Sequence, residues 1–259
     1  MELVRDEKHC RLCGAPIAGL SFIREGEECC CEDCFLKRKE FRGIEAERDN
    51  AYLALAEALA AALDAREHET GLHSKRVACH TLVLGRRFTG EAERLRQVYW
   101  GALLHDLGKI GITDAILLKS GPLTENEWPI MRTHSEIGHR ILAVVPSMAE
   151  AAEIVLSHEE RFDGTGYPRG LAGDAIPLGA RLFAVIDTLD AMTSDRPYRR
   201  GMSFDAAKSE ILRLPGTQFD PQAVSAFLAL EPVLHEMVDL KSIQPLLAKM
   251  AGATASGQR

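Results

Sequence analysis

The run His105-Asp106-Leu107-Gly108-Lys109 sets two adjacent ionisable side chains inside an apolar stretch. Leu103 and Leu104 precede the pair, and Leu107 and Gly108 follow it. A fold that buries this stretch must give both groups partners, because an unpaired buried charge is strongly destabilising. A divalent cation can partner both at once, since imidazole nitrogen and carboxylate oxygen are ligands for first-row metals. A hydrogen-bonded core pair is the plainer alternative. Lys109 adds a cation where a phosphate could sit.

The rest of the chain reads as helices. Apolar residues recur near a 3.6-residue period at Tyr52, Leu55, Leu59 and Leu63, within a helix expected from Phe41 to about His68. That stripe fits either a homodimer of paired helices or packing on the chain's own helical domain. Further helices are expected over Ser74–Thr89, Ala92–Leu107, Thr124–His134, Glu136–Val145, Met148–His158, Leu178–Thr193, Ser203–Leu214 and Pro221–Ala229. Thr124 before Glu127, and Ser203 before Ala206, are first-turn signals. The glycine-rich stretch from Asp163 to Gly179 reads as a loop. No alternating strand pattern follows residue 40, and the tail after residue 250 reads as disordered.

Six of the seven cysteines fall between residues 10 and 34. Cys10-x-x-Cys13 and Cys31-x-x-Cys34 form two knuckles, which suits four thiolates on a tetrahedral Zn²⁺. Cys29 or Cys30 could replace Cys31, and His9 is a weaker candidate. A redox dithiol and a rubredoxin-like iron site are the alternatives. Small modules need such a staple. Residues 1 to 40 carry seven Lys and Arg against nine Asp and Glu, so a protein contact or a folding role is expected rather than nucleic-acid binding.

The formal net charge of −7 also disfavours a general nucleic-acid surface. It leaves room for an anionic small ligand, because metals and a few local cations can reverse the field in a pocket. No apolar run approaches the ~20 residues of a membrane span, and the first residues have no signal-like apolar region. A cytoplasmic protein without membrane contact is expected.

His105-Asp106, the segment Ala102-Leu103-Leu104-His105-Asp106-Leu107-Gly108-Lys109-Ile110-Gly111-Ile112, the loop Asp163-Gly164-Thr165-Gly166-Tyr167-Pro168-Arg169-Gly170-Leu171 and the run Thr193-Ser194-Asp195-Arg196-Pro197-Tyr198-Arg199 together resemble the HD-GYP branch of the HD phosphohydrolases. The resemblance covers roughly residues 52 to 230. It implies a mainly α fold: a helical HD-domain bundle with a GYP loop, over 67–235. Before it come a four-cysteine zinc-ribbon-like module (1–40) and a linker helix (41–66), and after it a partly disordered extension (236–259). It further implies hydrolysis of a cyclic dinucleotide, usually cyclic di-GMP, to pGpG or GMP at two or three metals, iron or manganese.

By matching position, the implied ligands are Glu69, His73, His105, Asp106, His134, His158, Glu159 and Asp187. Asp106 would bridge two ions, and a shared hydroxide would attack phosphorus in line with the departing ribose oxygen. Lys109, Tyr167, Arg196 and Arg199 would hold substrate, the arginines through planar forks that bind phosphate and stack on bases. One position departs from the pattern: Glu159 stands where relatives carry a second consecutive histidine. It is expected to bind metal through a harder oxygen ligand. Another HD-type nucleotide hydrolase, or a weakly catalytic sensor acting through the zinc module, are the competing readings.

Overall fold

The computed structural model describes residues 32–67, 73–195 and 200–240, with side chains described from residue 47 onward. Cys10, Cys13, Cys31, Cys34, Glu69, Arg196 and Arg199, and the tail after residue 240, lie outside the described side chains. The chain divides into two compact units, 1–55 and 56–259.

The described chain is built from helices: α1 (Glu32–Glu67), α2 (His73–Gly85), α3 (Ala92–Leu103), α4 (Asp114–Leu117), α5 (Trp128–Arg132), α6 (His134–Leu142), α7 (Ala149–Ser157), α8 (Leu178–Thr193), α9 (Phe204–Ile211), α10 (Pro221–Ala229) and α11 (Glu231–Asp239). No strand occurs among the described residues; only two isolated bridges do, one of them closing Asp163 against Ala172. The expected helices are present, several with earlier stops, and α4 and α11 are additional. α1 is continuous from Glu32, so helix runs through the position where a module boundary at residue 40 was expected.

The core of the larger unit forms around α8. Leu182, Phe183, Val185, Ile186 and Leu189 are fully buried, as strict helical periodicity on a two-sided central helix requires. α2 packs on α8 and α3, α3 packs on α7, and α9 and α10 cover α8. Two caps behave as their sequences indicate. Ser203 accepts from the Ala206 N–H, and Asp220 accepts from the Gln222 N–H at 2.7 Å ahead of Pro221. At Thr124, the Glu127 carboxylate accepts the Thr124 N–H at 2.7 Å, half of a capping box, although the regular helix begins only at Trp128.

The early stops matter for the site. α3 was expected to run to Leu107 and ends at Leu103; a turn follows, then the 3-10 helix Leu107–Gly111. This break turns His105 and Asp106 away from the α3 axis. Likewise the expected helix from Met148 to His158 ends at Ser157, leaving His158 on the boundary. α11 was not anticipated, although Leu234 and Met237 carry its buried stripe.

Candidate metal centre

Four histidines reach one region from four places: His73 at the start of α2, His105 in the turn after α3, His134 at the start of α6, and His158 at the end of α7. His105, His134 and His158 are buried. Each donates its Nδ1–H to the carbonyl three residues earlier: Ala102 at 2.9 Å, Met131 at 2.8 Å and Val155 at 2.7 Å. A carbonyl only accepts, so the proton belongs to Nδ1 and the Nε2 lone pair faces the site. His73 is held at Nδ1 instead by the Asp190 carboxylate, at 2.7 Å. Phe183 lies under the cluster, its ring centroid 4.7 Å from His105 and 5.6 Å from His158.

The Nε2 atoms of His134 and His158 are 3.1 Å apart. With both Nδ1 positions protonated, two lone pairs face one another, an arrangement that needs a cation between or beside them. Donor atoms fall into two groups, His73, His105 and Asp187, and Asp106, His134 and His158, each with its atoms within 4.8 Å of one another. Asp106 faces both groups: Oδ2 is 3.0 Å from His105 Nε2, and Oδ1 is 3.6 Å from His134 Nε2. His73 Nε2 is 3.5 Å from Asp187. Buried imidazoles with aimed lone pairs and two carboxylates make a donor set that fits two divalent ions of the first row.

Electrostatics in the cluster follow from crowding without a metal charge. Burial pushes His105 down, but Asp106 beside it outweighs this and lifts it to about 9. Burial pulls His158 down to about 4. Burial likewise opposes charge on Asp106, yet His105 and Lys109 hold it well below the usual carboxylate range.

Lys109 Nζ lies 2.8 Å from Asp106 and 3.2 Å from Glu67, so its charge is engaged by two carboxylates. Glu159 approaches from the rim: its Oε1 is 4.0 Å from His134 Nε2 and 3.9 Å from His158 Nε2. Burial and the Glu159 charge together raise the Tyr167 hydroxyl well above its ordinary value. The Tyr167 ring stands edge-on to His134 at 6.4 Å and carries the Arg132 guanidinium 5.0 Å above its centroid.

The loop bearing Tyr167 is fastened by a residue the sequence reading passed over. Buried Glu160 accepts from the N–H of Arg169 at 2.8 Å and of Leu171 at 3.0 Å. Asp163 closes an Asx turn on Thr165 N at 3.0 Å. Gly166 has no room for a side chain, since a Cβ there would overlap the backbone of Glu159, Glu160 and Arg161.

The described members of the expected ligand set, His73, His105, Asp106, His134, His158, Glu159 and Asp187, thus come together, with Tyr167 and Lys109 alongside. Glu69, Arg196 and Arg199 lie outside the described residues. The sequence reading missed the outer shell. Arg76 grips Asp190 at 2.7 and 2.9 Å, and Asp190 in turn holds His73, a carboxylate–histidine arrangement typical of metal sites. The signal was present: Asp190 follows Asp187 by three residues, and Arg76 follows His73 by three, placing each pair on one helix face.

A family profile described as HD domain matches residues 54–223. The chain is 39% identical over 205 residues to a cyclic di-GMP phosphodiesterase of Thermotoga maritima, covering 78% of this chain and 56% of that one. It is 38% identical over 203 residues to a cyclic di-GMP phosphodiesterase of Vibrio cholerae, covering 73% of this chain and 40% of the relative. It therefore spans about half the length of these curated relatives. A solved cyclic GMP-AMP specific phosphodiesterase of V. cholerae shares the fold, with a TM-score of 0.57 at 20% identity, over 74% of this chain and 52% of that one.

Proposed function

This chain belongs to the HD domain family, and from that premise we propose that it is a metal-dependent phosphodiesterase that hydrolyses cyclic di-GMP to pGpG or GMP. The observation that carries the reading is the pair of donor groups meeting at Asp106, with the Nε2 lone pairs of His134 and His158 facing each other at 3.1 Å. A fold family alone does not assign a substrate; support for cyclic di-GMP comes from the relatives' names and from the loop Gly166-Tyr167-Pro168.

His73, His105 and Asp187 would hold one ion, and Asp106, His134 and His158 the other, with Glu159 completing the second set. Glu69, carried over by resemblance, is the further ligand for a third. Iron or manganese suits this mixture of imidazole and carboxylate. Divalent ions, when bound, supply a water of lowered pKa and neutralise charge on the phosphoryl oxygens.

The chain's own residues orient everything else. The backbone carbonyls of Ala102, Met131 and Val155 fix three imidazoles in one tautomer, so no reorganisation is needed when charge develops. Lys109 steadies Asp106 Oδ2; any phosphate it contacts shares it with Asp106 and Glu67. Tyr167, with Arg132 over its ring, would shape the pocket or flank a base, and Arg196 and Arg199 are the expected phosphate- and guanine-binding cations.

For residues 1 to 40, the reading is one structural zinc on Cys10, Cys13, Cys31 and Cys34, supported by the paired knuckles and forming a contact for a protein partner. No described helix is long and apolar enough to cross a membrane.

The test is turnover of cyclic di-GMP, of the mixed cyclic GMP-AMP and of linear pGpG by protein purified without oxygen, stripped, and reloaded with Mn²⁺ or Fe²⁺. Hydrolysis of cyclic di-GMP with either metal is expected. Metal binding without turnover of any of the three would leave a sensor and overturn the enzyme reading. In parallel, Cys13→Ser or Cys34→Ser is expected to release about one equivalent of zinc.

A further inference from the structure

The 3-10 helix Leu107–Gly111 raises a bonding problem. Of its last carbonyls, only that of Lys109 is met by the backbone that follows, the N–H of the capping residue Ile112, at 3.0 Å. One side chain gathers them. Arg66, in the last turn of α1, donates Nη1 to the carbonyls of Lys109 and Ile110, both at 2.9 Å, and Nη2 to the Ile112 carbonyl at 2.6 Å. Its Nε and Nη2 also bond Asp114 Oδ1, at 3.2 and 2.7 Å. The neighbouring Glu67 meets Lys109 at 3.2 Å, and Lys109 meets Asp106 at 2.8 Å.

The Arg66 and Glu67 contacts each cross more than forty residues of sequence and end on one segment, the one that begins with His105 and Asp106. A planar guanidinium is suited to this work. It presents its donors in a fixed fork, so three carbonyls are held in one mutual geometry. The Lys ammonium has three donors but no fixed plane, and cannot reproduce that spread.

We propose that Arg66 is a positioning residue of the reaction: by fixing the carbonyls at 109, 110 and 112 it sets the pitch of the turn that presents Asp106 and Lys109 to the metal centre. This deepens the phosphodiesterase reading and rests on it for the kinetic consequence. The metal-binding consequence stands separately. Arg66 touches neither a proposed ligand nor substrate; it acts through the turn, with Glu67 as the second tie, on Lys109.

The experiment compares wild type, Arg66→Lys and Arg66→Ala in the full chain. Three quantities are read on each: melting temperature, Mn²⁺ affinity by titration of the stripped protein, and kcat and KM for cyclic di-GMP. In both variants, Mn²⁺ binding about tenfold weaker and kcat at least tenfold lower at saturating metal are expected, with KM within about threefold of wild type. Lysine is not expected to rescue, because charge without the fork does not restore the turn. Millimolar guanidinium ion is expected to restore part of the Arg66→Ala rate. Arg66→Lys tests the idea even where the alanine variant fails to fold. Wild-type kcat and Mn²⁺ affinity in a folded Arg66→Lys or Arg66→Ala protein overturns the proposal. So does an activity loss that follows only the fraction unfolded, for that is a brace of the fold and not of the site. Absent turnover in wild type would sink the phosphodiesterase reading, while the Mn²⁺ titration would still decide the role of Arg66.

Discussion

Glu159 reaches the cluster from its rim, with its Oε1 about equally far from the Nε2 atoms of His134 and His158, 4.0 and 3.9 Å. A carboxylate so placed can close on an ion held by those two imidazoles, and it brings a harder donor and one negative charge. Oxygen donors suit Mn²⁺, whereas imidazole accepts iron and zinc readily. Glu159→Ala is therefore expected to lose metal, and Glu159→His to shift loading from Mn²⁺ toward Fe²⁺, both read by metal analysis after reloading. Identical loading in all three proteins would remove Glu159 from the ligand set. His80 offers a test of burial away from the ligands. It is buried, its Nδ1 has no partner among the described residues, and desolvation lowers it to about 4. Its folded value lies below the unfolded one near 6.5, so the unfolded chain takes up the proton first. The neutral form costs nothing above about pH 6.5, and stability falls as pH drops from there toward 4. Between pH 7 and 5 this one group is expected to remove about 2 kcal/mol. Urea midpoints at the two pH values should show that much less loss in His80→Leu than in wild type; equal slopes would show that His80 is not held neutral.

At the scale of elements, the site depends on how closely the turn 105–111 meets α6. Gly108 is where they touch: a Cβ there would overlap the His134 carbonyl and press on the Gly138 N–H. Gly108→Ala must push the first turn of α6 outward, and that turn carries His134. A loss of roughly 1–3 kcal/mol is expected from overpacking of this kind, together with loss of metal from the group containing His134. Gly121→Ala, where a Cβ meets nothing within 4 Å, serves as the control and should change neither. A Gly108→Ala protein with full metal and an unchanged urea midpoint would mean that α6 can yield freely. The same contact shows what a sequence discloses. His105, Asp106 and the Gly-Tyr-Pro loop were legible because residue types at short spacing carry their own chemistry. The helices were legible because burial on α8 repeats at helical period. Their ends were not: nothing local stops α3 at Leu103, and the stop arises where the chain must turn so that Gly108 can lie against α6. The outer shell was hidden for a related reason. Arg66 with Ile112, and Arg76 with Asp190, are partners 46 and 114 residues apart; the three-residue spacings of Arg76 from His73 and of Asp190 from Asp187 put each pair on one helix face, but which faces meet is settled only when α1 and α2 are in place.

For the whole molecule, the decisive fact is that the donors come from distant parts of the chain. His73 from α2, His105 and Asp106 from the turn after α3, His134 from α6, His158 from the end of α7 and Asp187 from α8 meet only when those elements are packed. The unfolded chain has no such site, so metal binding and folding are linked. An ion at a hundredfold excess over its Kd stabilises the native state by about 2.7 kcal/mol. For a chain of this size each kcal/mol moves the melting temperature by about 2–4 °C. Stripping with a chelator is thus expected to lower the melting temperature by about 5–10 °C, and Mn²⁺ to restore it. The larger unit begins at residue 56 and holds every described donor as well as Arg66. A chain starting at residue 45 should therefore keep both the metal-dependent shift and the turnover, while any zinc-dependent step belonging to Cys10, Cys13, Cys31 and Cys34 disappears from its melting curve. Calorimetry of the full and shortened chains, each stripped and reloaded, reads both effects in one series. A shortened protein that melts at the same temperature with and without Mn²⁺ would mean that the six donors do not form a metal centre on their own, and the phosphodiesterase reading would fall with them.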